Sequence, residues 1–162
     1  MNVDNFWEII DRVKDIAHPD QALKNELRLL SLDEIISFSE HFDVFVNKAY
    51  TWLMWSAAYI IGGGCSDDGF TDFRYGLISL GKDVYYKAVE NPDSLVELDD
   101  DIEIRNESFG YVAFEIHEEN AGSEMPDSSI TFEPLDMGED WDFDDVGECS
   151  KRLPKLTKLH YE

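Results

Sequence analysis

The stretch Trp52-Leu-Met-Trp-Ser-Ala-Ala-Tyr-Ile-Ile-Gly-Gly-Gly-Cys-Ser-Asp-Asp68 decides the fold. Up to Ile61 it is apolar all round, with Ser56 as its main polar interruption. A buried strand and a buried helix both fit such a run, and Ala, Leu and Met tilt it toward helix. A helix with no polar face is expected to be buried on every side. The segment is therefore placed at the centre of a helical domain, where Ala57 and Ala58 let a neighbour approach closely. Gly62-Gly63-Gly64 ends it, because glycine supplies the left-handed conformation used at helix C-termini. Ser66 then caps the next helix, with Asp67 and Asp68 in a first turn whose dipole favours negative charge.

Upstream, apolar residues recur at helical spacing. Asp4 is read as the cap of a first helix running to Ala17, with Phe6, Ile9, Ile10, Val13 and Ile16 inward. His18-Pro19 breaks it. A second helix follows to Leu30, and Ser31-Leu-Asp-Glu34 has the spacing of a capping box opening a third, with Ile35, Phe38, Phe42, Val46 and Ala49 as its stripe. Downstream of the glycines, Phe70, Phe73, Leu77 and Leu80 face in, Gly81 is read as a C-cap, and Lys82 to Glu90 forms a shorter helix ended by the Asn91-Pro92-Asp93-Ser94 turn. Glu107 to Ala121 reads as a further helix. From Gly122 to Gly147 the periodicity vanishes into a long loop, which Ile130, Phe132, Leu135, Trp141 and Phe143 are expected to pin to the core. A last helix, broken near Pro154, is anchored by Leu153, Leu156 and Leu159. The expectation is one all-α domain of 162 residues: a helical core over 1–96, an acidic helix and loop over 97–147, and a basic segment over 148–162.

The charge is very uneven. Asp and Glu number 36 against 13 Lys and Arg, for a net charge of −23. Residues 90–148 alone carry 21 acids and one base, Arg105. Tight unaided binding to nucleic acid or an anionic membrane is not expected, because phosphates are held by Lys and Arg. The longest apolar run is about half of the roughly twenty residues a membrane-spanning helix needs. The first residues have neither a basic start nor an apolar stretch of the kind that directs export, so the cytoplasm is the expected location. Two cysteines do not make a disulfide framework.

The pattern Trp52-x-x-Trp55-x-Ala-Ala-Tyr59-x-Ile61-x-Gly-Gly-Cys65-Ser-Asp-Asp-x-Phe70 resembles a bacterial family known as domain of unknown function 4240. Phe6-Trp7, Phe73, Gly81, the Asn91 turn with Leu95, and Arg152-Leu-Pro-Lys-Leu156 add to the resemblance, which is read as spanning most of the chain. It implies a small, largely helical cytoplasmic domain and no particular activity.

Candidate chemistry is thin. The glycine run lacks the lysine of a phosphate loop, and Asp67 and Asp68 stand where an anion would sit. Asp67, Asp68 and Asp72 suggest instead a cation site, with Arg74 beside it to pair with a carboxylate or grip an anionic ligand. Asp140-Trp-Asp-Phe-Asp144 has the alternation of a calcium loop, but Asp145 replaces its glycine and Lys151 its terminal glutamate. The four histidines show no zinc spacing, and Cys65 has no signature of a nucleophile. No cofactor or metal is expected.

Trp55 and Tyr59 are candidates to line a pocket, and Trp141, flanked by aspartates, to anchor a partner. The reading that results is a non-enzymatic binding protein whose acidic surface engages a basic protein, as in toxin neutralisation or regulation. The alternative is an enzyme or ligand-binding domain, dependent on a small molecule or metal, with its site at Ser66–Asp68 and Arg74.

Overall fold

A computed structural model describes residues 1–161. Among them are nine α-helices, two 3₁₀ turns and no strand. The all-α class read from the sequence is the class observed.

Helix α1 (Val3–Val13) is capped by Asn2, whose side chain accepts from the Asn5 N–H at 2.8 Å. The cap is thus not Asp4, and the helix stops before Ile16, which is exposed. Helix α2 (Pro19–Arg28) places Leu23 and Leu27 in the core. Helix α3 (Leu32–Lys48) starts in the expected capping box: Ser31 Oγ accepts from the Glu34 N–H, and the Glu34 carboxylate accepts from the Ser31 N–H at 2.9 Å. That backbone bond, followed by one from the Ser31 hydroxyl, holds the Glu34 carboxyl below its ordinary value. The contribution of the ionised form is present above the ordinary carboxylate range and is lost as pH falls through the lowered value. Glu34→Gln is therefore expected to lower the thermal midpoint at neutral pH. The gap to wild type should close below about pH 4, as a melting series across pH would read.

The main core is aromatic. Phe6 and Trp7 of α1 meet Phe38 and Phe45 of α3, with ring centroids 4.7–5.3 Å apart. Tyr85 of α6 (Lys82–Glu90) completes the group, its buried hydroxyl donating to the Phe45 carbonyl at 2.7 Å. Helix α7 (Val112–Ala121), preceded by a 3₁₀ turn (Ser108–Tyr111), packs across α2 and α3. The ion pairs Lys24–Glu115 and Arg28–Glu119 flank that contact.

Helix α4 (Trp52–Gly62) differs from its expected place. It packs on α5 (Asp67–Ser79), on the 3₁₀ turn Pro92–Glu97 and on the last helix, α9 (Pro154–Tyr161). Burial is one-sided: Met54, Ser56, Ala57, Ala58 and Ile60 are buried, whereas Trp52, Trp55 and Tyr59 are only half-buried. The helix lacks a polar face because its outer face is an aromatic one, roofed by a loop. Ser56 satisfies itself by donating to the Leu53 carbonyl at 2.8 Å.

Residues 122–145 form no regular element, as expected, and lead into α8 (Val146–Arg152). Two of the five expected anchors hold: Phe143 packs on Trp52 and Tyr59, and Trp141 packs on Phe143. Phe132 and Leu135 are exposed at 42% and 38%, while the Trp52 N–H holds the loop through the Met137 carbonyl at 2.9 Å. Leu153 and Leu156 anchor the C-terminal segment, but Leu159 is exposed.

Candidate functional site

Four of the residues singled out from the sequence join one aromatic ladder. Trp55 stacks on Trp52 (5.4 Å, 12°) and on Phe70 (5.0 Å, 16°), and its Nε1 donates to the Cys65 carbonyl at 2.9 Å. Arg74 closes one end, its guanidinium 4.8 Å from the Phe70 ring and 4.5 Å from Tyr50. At the other end Trp52 meets Phe143, which also touches Tyr59 and Trp141. Arg152 lies 4.4 Å over the Trp141 ring. The ladder ties the acidic loop to α4 and terminates in a guanidinium on each side.

Arg74 is placed differently from the ligand-gripping group expected. It is 8% exposed. Its nitrogens donate to the Val46 carbonyl (3.0 Å), to Thr71 Oγ1 (3.1 Å) and to the Phe70 carbonyl (3.4 Å). It thereby satisfies a carbonyl in the last turn of α3, where a cation also suits the helix dipole. Burial lowers its pKa, and the nearby tyrosines and Asp67 oppose that. Ser66 accepts from the Gly69 N–H at 3.1 Å, as a cap should. Asp67 and Asp68 are exposed, with Asp67 accepting from the Tyr50 hydroxyl at 3.3 Å. Trp141 is half-buried beneath Arg152, and its indole nitrogen is buried without a hydrogen-bond partner. Tyr59 donates to Asp144 at 2.8 Å, which raises the tyrosine pKa. Among the described residues no three His, Cys, Asp or Glu side chains converge as a metal site requires.

The cation at the glycine run is a residue the sequence reading passed over. Arg105 Nη2 donates to the Gly64 carbonyl at 3.2 Å. A Cβ on Gly62 would stand 3.0 Å from that nitrogen, and one on Gly69 would stand 3.5 Å from the same guanidinium. The side chain's position is fixed by its neighbours. Ile104 is buried, and the Asn106 N–H donates to the Asp72 carbonyl at 3.1 Å, so the chain crosses α5 on both sides of Arg105. A cleft of about 320 Å³ opens beside Gly62, with Arg105 on its rim. Burial pushes the Cys65 thiol up, and Arg105 opposes that shift. A signal for Arg105 existed: it is the lone base among residues 90–148.

The loop 122–145 supplies the other feature. It carries nine acids and no Lys or Arg. Among the described residues only Glu139 of these nine forms an ion pair, with Arg152 at 3.1 Å.

An all-α domain with this architecture is thus defined by an aromatic ladder, a glycine cradle for one arginine and an uncompensated acidic loop. Residues 1–119 match the family described as "Protein of unknown function (DUF4240)", and the chain belongs to that family. The match contains the Trp52–Phe70 pattern and ends before the acidic loop, so Arg152–Leu156 lies beyond it. Neither the curated proteins nor the solved structures offer a match.

Proposed function

We propose that the protein is a non-enzymatic binding module whose acidic loop engages a basic partner protein, in a regulatory or neutralising role within the cytoplasm. The observation that carries this reading is the unpaired charge of the loop. Some acids elsewhere pair with bases across helix contacts, as at Lys24–Glu115, Arg28–Glu119 and Arg12–Glu26, and the unpaired ones there are interspersed with Lys and Arg, which the loop lacks. Over 122–145 nearly all of the carboxylates have no internal counter-charge, so a Lys- and Arg-rich surface gains Coulomb energy there without first breaking ion pairs. Phe132 and Leu135, both exposed in the same loop, add apolar contacts of the kind that give an electrostatic encounter its lifetime. Trp141, committed to Arg152 and Phe143, holds the loop in place from below.

Polylysine serves as a defined probe. Replacing Glu124, Asp127, Glu133, Asp136, Asp140 and Asp142 by their amides is expected to weaken its binding at least ~10-fold at low salt, with both proteins converging as the Debye length shrinks. A control variant changes six exposed acids elsewhere: Glu8, Asp15, Asp33, Asp68, Asp83 and Glu90. It should lose far less. Equal losses in the two variants would show that only net charge matters and would overturn the reading.

A further inference from the structure

The cleft beside Gly62 is built around a cation that has no anion. Arg105 stands in the most acidic part of the chain, yet among the described residues no carboxylate forms an ion pair with it. One of its donors is used by the Gly64 carbonyl. The missing side chain at Gly62 leaves room for the guanidinium, which a Cβ there would meet at 3.0 Å. The cleft is lined by the apolar Ala58, Ile61 and Phe73 and by the acids Asp100 and Glu103, together with Arg105. A volume of about 320 Å³ sits at the small end of the roughly 300–1,000 Å³ range of ligand sites.

We infer that this cleft binds a small apolar α-amino acid as its zwitterion. Arg105 presents a planar fork that suits a carboxylate. The lining acids Asp100 and Glu103 suit an ammonium group, and Ala58, Ile61 and Phe73 suit an aliphatic or aromatic side chain. The field of the whole molecule decides against a simple anion. A phosphate or a plain carboxylate must approach a protein of net charge −23 and sit in a cleft that Asp100 and Glu103 also line, whereas a zwitterion carries no net charge and uses both signs of the lining. The cleft is separate from the loop 122–145, so this inference and the proposed partner binding stand or fall separately.

The test is a titration of the full chain with L-phenylalanine and L-leucine, read by amide shifts in NMR and by calorimetry. Saturable shifts centred on Gly62, Gly64, Gly69 and Arg105 are expected. Phenethylamine, which lacks the carboxylate, and 3-phenylpropionate, which lacks the ammonium, should each bind at least ~10-fold more weakly, a factor of ten being about 1.4 kcal/mol. Arg105→Gln should weaken phenylalanine binding by a similar factor. If Arg105→Gln lowers the melting temperature too far to be read, the double variant Asp100→Asn, Glu103→Gln, altered only at exposed side chains, carries the test: it should lose phenylalanine and not 3-phenylpropionate. Absence of saturable shifts, unchanged binding in both variants, or 3-phenylpropionate binding as tightly as phenylalanine would each overturn the inference.

Discussion

Gly76→Ala is expected to unfold the protein or to cost at least ~3 kcal/mol, beyond the usual range for an added methyl in a packed interior. A Cβ at Gly76 would lie 1.4 Å from the Ile104 carbonyl oxygen and 2.5 Å from its carbon. Both are backbone atoms, so no rotamer change relieves the overlap. The 104–106 segment must lift off α5. Lifting it breaks the Asn106 N–H to Asp72 carbonyl bond and draws Ile104 out of the core. It also moves Arg105 away from the glycine run. Gly63→Ala is the natural comparison. Gly63 has φ 66°, with nothing within 4 Å of its would-be Cβ, so only the left-handed backbone is penalised. That change should cost about 1 kcal/mol. Urea denaturation of the two variants separates the causes. A Gly76→Ala protein as stable as Gly63→Ala would mean that the crossing over α5 is not as tight as described.

What the sequence made legible was local. The capping box at Ser31 and Glu34, the glycine stop after Ile61 and the Ser66 cap all depend on residues within one helical turn of each other, and each forms as its spacing predicts. The all-α class follows from the same periodicity. Faces were less readable. The uniform apolarity of Trp52–Ile61 predicts burial all round, but large aromatic side chains also satisfy one another by stacking, and the outer face of this helix is covered that way. The loop anchors divide: Phe143 and Trp141 pack as expected, whereas Phe132 and Leu135 face outward and a backbone bond to Met137 helps hold the loop instead. Arg74, and not Arg105, stands out in the sequence because nothing in the chain order shows which guanidinium is buried against carbonyls and which reaches the glycines. Only the crossing of Ile104–Asn106 over α5 determines that.

Asp93→Ala should be nearly as damaging, by about 2–4 kcal/mol, and through the opposite kind of fault, a deficit of bonds instead of an excess of atoms. Helix α9 begins at Pro154 and is preceded by Leu153, which has no side-chain acceptor to offer the first turn. The acceptor comes from 62 residues earlier in the chain. Asp93, 4% exposed, accepts from the Lys155 N–H with both carboxylate oxygens at 3.1 Å and from the Leu156 N–H at 2.9 Å. These are the second and third helical positions, where a cap acts, and a carboxylate there also meets the positive end of the helix dipole. The proline at the first position has no N–H to satisfy. The 3₁₀ turn Pro92–Glu97 thus supplies the cap by which α9 docks on α4, and α9 in turn buries Leu156 and Thr157. Alanine would leave two donors without a partner, whereas asparagine keeps one acceptor oxygen and loses the charge. The order of stability in denaturant should therefore be wild type, Asp93→Asn, Asp93→Ala. Because the lost bonds lie at one docking point, limited proteolysis should cut the Asp93→Ala protein within 146–161 before it cuts α1 to α3. Cleavage that starts in the N-terminal helices, or an Asp93→Ala protein as stable as wild type, would show that α9 is held by its leucines alone.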